Sequence, residues 1–299
     1  MTRVSLACLV AATLVVGTAA PASQAYRMPV GASSVDPAAD SAAEPTQVSA
    51  TATGSPPPEV VAAQPSQTHA PDRAASRRWA GTVIMIDPGH QLGNATHPRQ
   101  VNRLVNAGGF RKPCNSTGTA TKAGFPEATF NWRVARALRR QLQARGATVR
   151  MTRSTNSYDD WGPCIDVRGR AGNRVNADAT ISIHGDGASA GTRGFFVIRP
   201  SDRAGWTSDI YRSSARYAHK VKTGLVRAGV RVSNSYGGDG FDVRGDLGTL
   251  NWSNVPAVMV ELGNMRNRTD ARHMTSAHYR QHRYARGLRL GIGGFLFRR

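Results

Sequence analysis

Two histidines and two glutamates sit where apolar runs stop. His90 closes the segment Val-Ile-Met-Ile-Asp-Pro-Gly-His over 83–90, and His184 closes Ile181-Ser182-Ile183-His184. Glu261 follows Ala257-Val258-Met259-Val260, and Glu127 opens a segment in which apolar residues recur at every fourth position. Two imidazoles and one carboxylate, from His90, Glu127 and His184, are a donor set that suits a single catalytic zinc ion and leaves a position open for water. Zinc lowers the pKa of that water to about 7, which makes hydroxide available without a strongly basic side chain. The remaining carboxylate, Glu261, has the chemistry of a general base that later returns the proton to a leaving amine.

Each residue also has a plainer reading. A glutamate in a first helical turn is favoured by the macrodipole alone, by ~0.3–1 kcal/mol. His184 would serve as a hydrogen-bonded core histidine, and Glu261 as the partner of one of many arginines. An ionised Glu261 after four apolar residues requires compensation in the fold, which favours the functional reading for that position. His97, His219, His273, His278 and His282 end no strand and read as surface or helix-face residues, while His69 precedes the folded region.

Positioning these groups falls to a set of alternating elements. The apolar run from Val83 suits a strand covered on both faces, broken by turn chemistry at Asp87-Pro88-Gly89. A long loop over 91–126 follows, then a helix from Glu127 with Phe130, Val134, Leu138 and Leu142 on one face, Pro126 at its start and Gly146 at its end. Strands are expected over 147–152 and 179–184 with a helix over 165–175 between them. Beyond lie a strand at an edge over 194–199, a helix over 210–228, a strand over 256–260 and a final helix over 275–297. This order predicts right-handed crossovers and an α/β fold: a single domain with a mainly parallel twisted sheet and helices on both faces. In such a sheet the carboxyl ends of strands and the amino ends of the following helices share the ligand-binding edge. His90, Glu127, His184 and Glu261 all fall there, and so do the loops that hold Cys114 and Cys164.

The flanking chain is of a different kind. Arg3, the apolar run over 4–16 and the small residues up to Ala25 have the pattern of a secretory signal peptide over 1–25. Residues 26–77, rich in Ala, Pro, Ser and Thr and including Pro56-Pro57-Pro58, cannot bury a core and read as a disordered spacer. That leaves 78–299 as the catalytic domain, with no stable membrane span once the signal is removed. Residues 1–77 carry four arginines and five acidic residues, a net of −1, so the total of +20 places +21 on 78–299. Such charge favours anionic partners, wall polymers and peptide carboxylates among them; no nucleic-acid-binding motif accompanies it, so nucleic acid is not expected. The oligomeric state is not set by these features. With Cys8 in the leader, Cys114 and Cys164 remain, and a disulfide is the expected outcome in an exported chain; a cysteine metal site is disfavoured because neither has a second ligand close by.

Read in order, the motifs resemble those of the type 3 class of zinc-dependent N-acetylmuramoyl-L-alanine amidases. The likeness spans 80–297 and rests on Ile86-Asp87-Pro88-Gly89-His90; Glu127 with Asn131; Met151-Thr152-Arg153; Arg168 with Asn173; the run from Ala177 to His184; and the run from Pro256 to Asn264. The chain is most similar to the small secreted actinobacterial members, which lack a separate wall-binding domain. The resemblance implies that His90, Glu127 and His184 are zinc ligands and Glu261 the catalytic glutamate. It further implies a peptidoglycan substrate cut between N-acetylmuramic acid and the L-alanine of the stem peptide, and a location outside the cell, in the periplasm or cell wall. Gly185-Asp186-Gly187 after His184 departs from the family pattern and bears on groove shape. The alternatives are another exported zinc hydrolase of cell-wall material, a carboxypeptidase or deacetylase, and a noncatalytic binder of anionic polymers.

Overall fold

Residues 78–297 are described by the computed structural model, so the expected leader and spacer lie outside the described residues. Six strands form one sheet: β1 (Val83–Pro88), β4 (Thr148–Met151), β5 (Ala179–Asp186), β6 (Phe196–Pro200), β7 (Phe241–Arg244) and β8 (Ala257–Asn264), in the order β4-β1-β5-β8-β6-β7. The first four in that order run parallel, and β6 is antiparallel to β8 and parallel to β7. A short hairpin, β2 (Leu104–Asn106) with β3 (Arg111–Pro113), stands apart.

Pleating sorts the central strands into two faces. Ile84, Ile86, Ile181, Ile183, Val258, Val260 and Leu262 share one continuous core with helices α1 (Glu127–Gln143), α3 (Tyr211–Arg227) and α5 (Arg286–Phe297). Leu138, Leu142, Val221, Leu225, Leu288 and Ile292 supply the helical half of that core and are fully buried. The opposite face is thinner and more polar. It holds Asp87, Thr180 and Ser182, a small cluster of Phe196, Ile198, Leu250, Ala257 and Met259, and helix α2 (Ile165–Ala171). His184 and Glu261 have the same parity as Ser182 and Met259, so the pleat assigns them to this polar face. Helices therefore cover both faces, as the α/β reading requires.

Several boundaries differ from the sequence reading, for identifiable reasons. Asp87 and Pro88 belong to β1 rather than to a turn, because both continue the register with Ser182 and Ile183 and Asp87 is internally paired. The long loop 91–126 contains the β2-β3 hairpin and a one-turn helix at Pro98–Val101. The strand at 196–200 is internal: β7, hidden in a glycine-rich stretch, forms the edge. No helix lies between β5 and β6, so the chain turns back antiparallel instead of crossing over. The last helix is interrupted; α4 (Arg268–Thr275) starts on an Asn267 cap and stops at Ser276, whose hydroxyl accepts from Tyr279 N to cap the next turn. Among the described residues no helix is long and apolar enough to cross a membrane.

Cys114 and Cys164 are joined. The bond ties the segment after β3 to the start of α2, and it closes a span of 50 residues. On the chain-entropy account such a link stabilises by ~4 kcal/mol. Replacing both cysteines with serine is expected to lower the unfolding free energy by roughly that amount, measured by urea denaturation; an unchanged midpoint would contradict this role.

Candidate metal centre

Strands β1 and β5 are neighbours, yet the chain leaves β1 toward β4 on one side and β5 toward β8 and β6 on the other. A parallel sheet opens a crevice at such a reversal, and His90 and His184 flank it. Gly89 lets them approach: a Cβ there would lie 2.2 Å from His184 Cε1. His90 itself takes a left-handed backbone with φ 57°, an uncommon conformation for a residue with a side chain.

Glu127 opens α1 and reaches both rings. Its Oε1 lies 3.1 Å from His90 Nε2 and 3.0 Å from His184 Nδ1. One ligand atom from each of the three residues lies within 4.8 Å of the others. Surrounding groups fix each donor. His90 Nδ1 is 2.9 Å from the Ser116 carbonyl, which makes it the N–H donor and leaves Nε2 as the nitrogen available to a metal. Glu127 Oε2 accepts from Thr119 N at 2.9 Å, and Oε1 accepts from Asn131 Nδ2 and Gly185 N, both at 3.1 Å. Gly118, with φ +76°, permits the close passage of that loop, since a Cβ there would meet Glu127 Oε2 at 2.7 Å.

Electrostatics follow from this crowding. Burial pushes the Glu127 carboxyl up, but His90 and His184 outweigh it and hold Glu127 well below the usual carboxylate range. Burial disfavours the charged form of His90, yet Glu127 and the Ser116 carbonyl prevail and raise it. For His184 burial, helped by repulsion from His90, wins over Glu127 and lowers it. Two nitrogens and an ionised oxygen, buried and preoriented, fit a divalent cation of zinc type with a position left open.

Glu261 is the direct register partner of His184 across β5 and β8. Its Oε2 is buried with no hydrogen-bond partner among the described residues. Burial, then repulsion from Glu127 and Asp186, raise its carboxyl well above the ordinary range, with Arg244 opposing. An orphaned carboxylate oxygen is costly, and this one shares with His90 and His184 a cleft of about 410 Å³. All four residues expected on the sheet edge are therefore together, whereas His97, His219, His273, His278 and His282 contribute nothing to that cleft.

Sequence reasoning missed the supports. Arg168 donates to Asp87, to the Pro88 carbonyl at 2.7 Å and to the His90 carbonyl at 2.8 Å, and so fixes the turn that presents His90. Arg153 donates to the Pro88 and Ala128 carbonyls at 3.0 and 2.8 Å, which joins β1 to the start of α1. Both arginines belong to the motifs quoted above, but nothing in the sequence gave them this task. Ser116 and Thr119 act through backbone atoms and leave no side-chain signature. Tyr236, held at φ 53°, stacks at 4.1 Å on Phe196, the antiparallel partner of Glu261, and adds an aromatic surface beside it.

Comparison with known proteins assigns the chain to a family. Residues 84–293 match the Amidase_3 family, described as N-acetylmuramoyl-L-alanine amidase. The chain is 37% identical over 223 residues to the N-acetylmuramoyl-L-alanine amidase Rv3717 of Mycobacterium tuberculosis, covering 73% of this chain and 87% of that protein. The crystal structure of the amidase Ami1 from Mycobacterium smegmatis superposes with a TM-score of 0.68 at 34% identity, over 73% of this chain and 98% of that one. Apo Ami1 from Mycobacterium abscessus gives 0.68 at 37% identity, over 73% and 99%. The match runs from β1 into α5 and so takes in every strand of the sheet and the whole edge where the histidines and glutamates meet: this chain belongs to the N-acetylmuramoyl-L-alanine amidase family.

Proposed function

We propose that this chain hydrolyses the amide between the lactyl group of N-acetylmuramic acid and the L-alanine of the peptidoglycan stem peptide, with His90, Glu127 and His184 holding one zinc ion and Glu261 as general base and acid. The observation that carries the reading is the register pairing of Glu261 with His184, which sets a buried, unpartnered carboxylate oxygen beside the two histidines and Glu127. When bound, zinc supplies Lewis acidity, polarising a carbonyl and acidifying water. Glu261, whose raised affinity for a proton suits it to the task, takes the proton from the attacking water. It passes that proton to the alanine nitrogen as the C–N bond breaks, so the products are a free muramoyl carboxylate and a free L-alanyl amine. Arg168 and Arg153 keep the His90 turn in place while this happens.

The ligand assignment has a direct check. His90→Ala and His184→Ala are expected to lose bound zinc, falling from one equivalent to near none by elemental analysis of the purified protein, and to lose hydrolysis with it. Retention of zinc and activity in either variant would overturn the assignment. Export is part of the same proposal. The leader pattern over 1–25 and the core-poor composition of 26–77 support a secreted domain working in the cell wall or periplasm. Amino-terminal sequencing of exported protein is expected to start near Tyr26; a start at Met1 would contradict cleavage.

A further inference from the structure

The catalytic cleft is not the largest concavity on this edge. A second groove, of about 560 Å³, is lined in part by Lys122, Ala190, Met265, Arg266, Arg268 and Arg272. Each of its walls continues a segment that carries a residue of the site. Residues 121–123 lie just before Glu127, Ala190 lies in the loop after β5 and His184, and 265–268 follow β8 and Glu261. Lys122 is three residues from Thr119, whose N–H holds Glu127 Oε2, so it stands within about 10–11 Å of Thr119 along the chain. The groove therefore flanks the metal centre.

Its walls are fixed in advance. Asn264 Nδ2 donates to the carbonyls of Ala188, Ser189 and Thr192 at 3.3, 2.8 and 3.0 Å, and Asn267 Nδ2 donates to the Ala190 carbonyl at 2.8 Å. Its charge is one-sided. Lys122, Arg266, Arg268 and Arg272 are exposed, no aspartate or glutamate lines the groove, and none of the four forms an ion pair among the described residues. The nearby Asp270 is buried and committed to the backbone N–H groups of Gly194 and Asn264. The catalytic cleft differs in this respect, because its Lys112 and Arg168 are already matched by Asp246 and Asp87. Four free cations around a floor that includes the buried Met265 suit a short chain bearing carboxylates and small apolar side chains.

We propose that this groove binds the carboxylate-bearing end of the acidic peptide whose amino end is released at the metal centre; the assignment of that peptide rests on the amidase reading. Three or four extended residues reach ~10–14 Å, which is at least the greatest distance that the chain allows between Thr119 and Lys122. The groove would then select stems that keep free carboxylates over amidated ones.

The test uses the full domain with zinc and a muramoyl tetrapeptide carrying two carboxylates, beside the same substrate with both amidated. In Arg268→Glu/Arg272→Glu, KM for the acidic substrate is expected to rise about tenfold or more, with kcat within about twofold. The amidated substrate is expected to be unaffected, and Arg268→Lys/Arg272→Lys to restore most of the affinity. Calorimetric titration of the corresponding L-alanyl tetrapeptide should show the same loss without any turnover. If charge reversal prevents folding, Arg268→Gln/Arg272→Gln carries the same reading. Unchanged KM and unchanged peptide binding in a folded variant would overturn the groove assignment and leave the amidase reading intact. Absence of hydrolysis of either substrate by the unaltered protein, with peptide binding retained, would overturn the amidase reading instead.

Discussion

Glu261→Gln is expected to lower kcat by about 10³-fold while zinc content stays at one equivalent. The amide preserves the size of the side chain but accepts no proton, so both proton transfers lose their carrier. With metal withheld, the variant should also lose less stability than the parent as the pH rises. Glu261 is held buried against Glu127 and Asp186, and its folded form prefers the protonated state. Its contribution to stability therefore declines as the pH rises above the ordinary carboxylate range. A neutral amide lacks that dependence, so with metal withheld the melting temperature of the variant should fall less than that of the parent as the pH is raised, while activity is lost. A merely structural glutamate would give the reverse pattern, with stability falling and turnover little changed.

The second large effect lies away from the reacting atoms. Arg168→Met is expected to cost about 3–5 kcal/mol of folding stability, because it strands Asp87 without its cation in a fully buried position. The same guanidinium also serves the carbonyls of Pro88, His90, Gly162 and Pro163, so the variant should bind zinc more weakly even where it folds. The pH dependence has a definite sign. Burial raises the Asp87 carboxyl, but Arg168 and hydrogen bonds from Ser182 and Thr152 overcome it and hold it below the usual range. A depressed carboxyl contributes its full stabilisation above the ordinary value and loses it as the pH falls through the lowered one. The unaltered protein should therefore lose stability steeply below about pH 4, and Arg168→Met should show a shallower slope there. Asp87→Asn combined with Arg168→Met should recover part of the loss, since no uncompensated charge remains. Urea melts across pH read both quantities, and additive losses in the pair would contradict the coupling.

The residues of the candidate site were legible in the sequence because each stands where a periodic pattern changes. His90 and His184 end apolar runs, Glu127 begins a helix, and a parallel sheet brings such positions to one edge by its topology. Less legible was everything that depends on which face a residue occupies. The run Val83 to Ile86 looked uniformly buried, yet one face carries Ile84 and Ile86 into the main core while the other leads to Asp87 and its ion pair. Asp87-Pro88-Gly89 carries strong turn chemistry, and tertiary pairing with β5 overrode it for two of the three residues. Strand β7 escaped notice because its four residues sit among glycines and charges, with no apolar run to mark them. The Ser116 carbonyl and the Thr119 N–H, which orient His90 and Glu127, belong to the backbone and are set by loop shape alone.

Those supports matter because the chemistry depends on positioning. A carboxylate held between two imidazoles, and a second carboxylate left without a partner beside them, are unfavourable for folding and useful for hydrolysis. The most direct measurement is mass spectrometry of purified peptidoglycan after digestion by the domain, with and without a chelator. The account predicts peptides with newly free L-alanine amino termini and intact glycan strands, formed only in the absence of chelator and restored by added zinc. Release of D-alanine or of acetate with no free L-alanine amino termini, or digestion indifferent to the chelator, would contradict it.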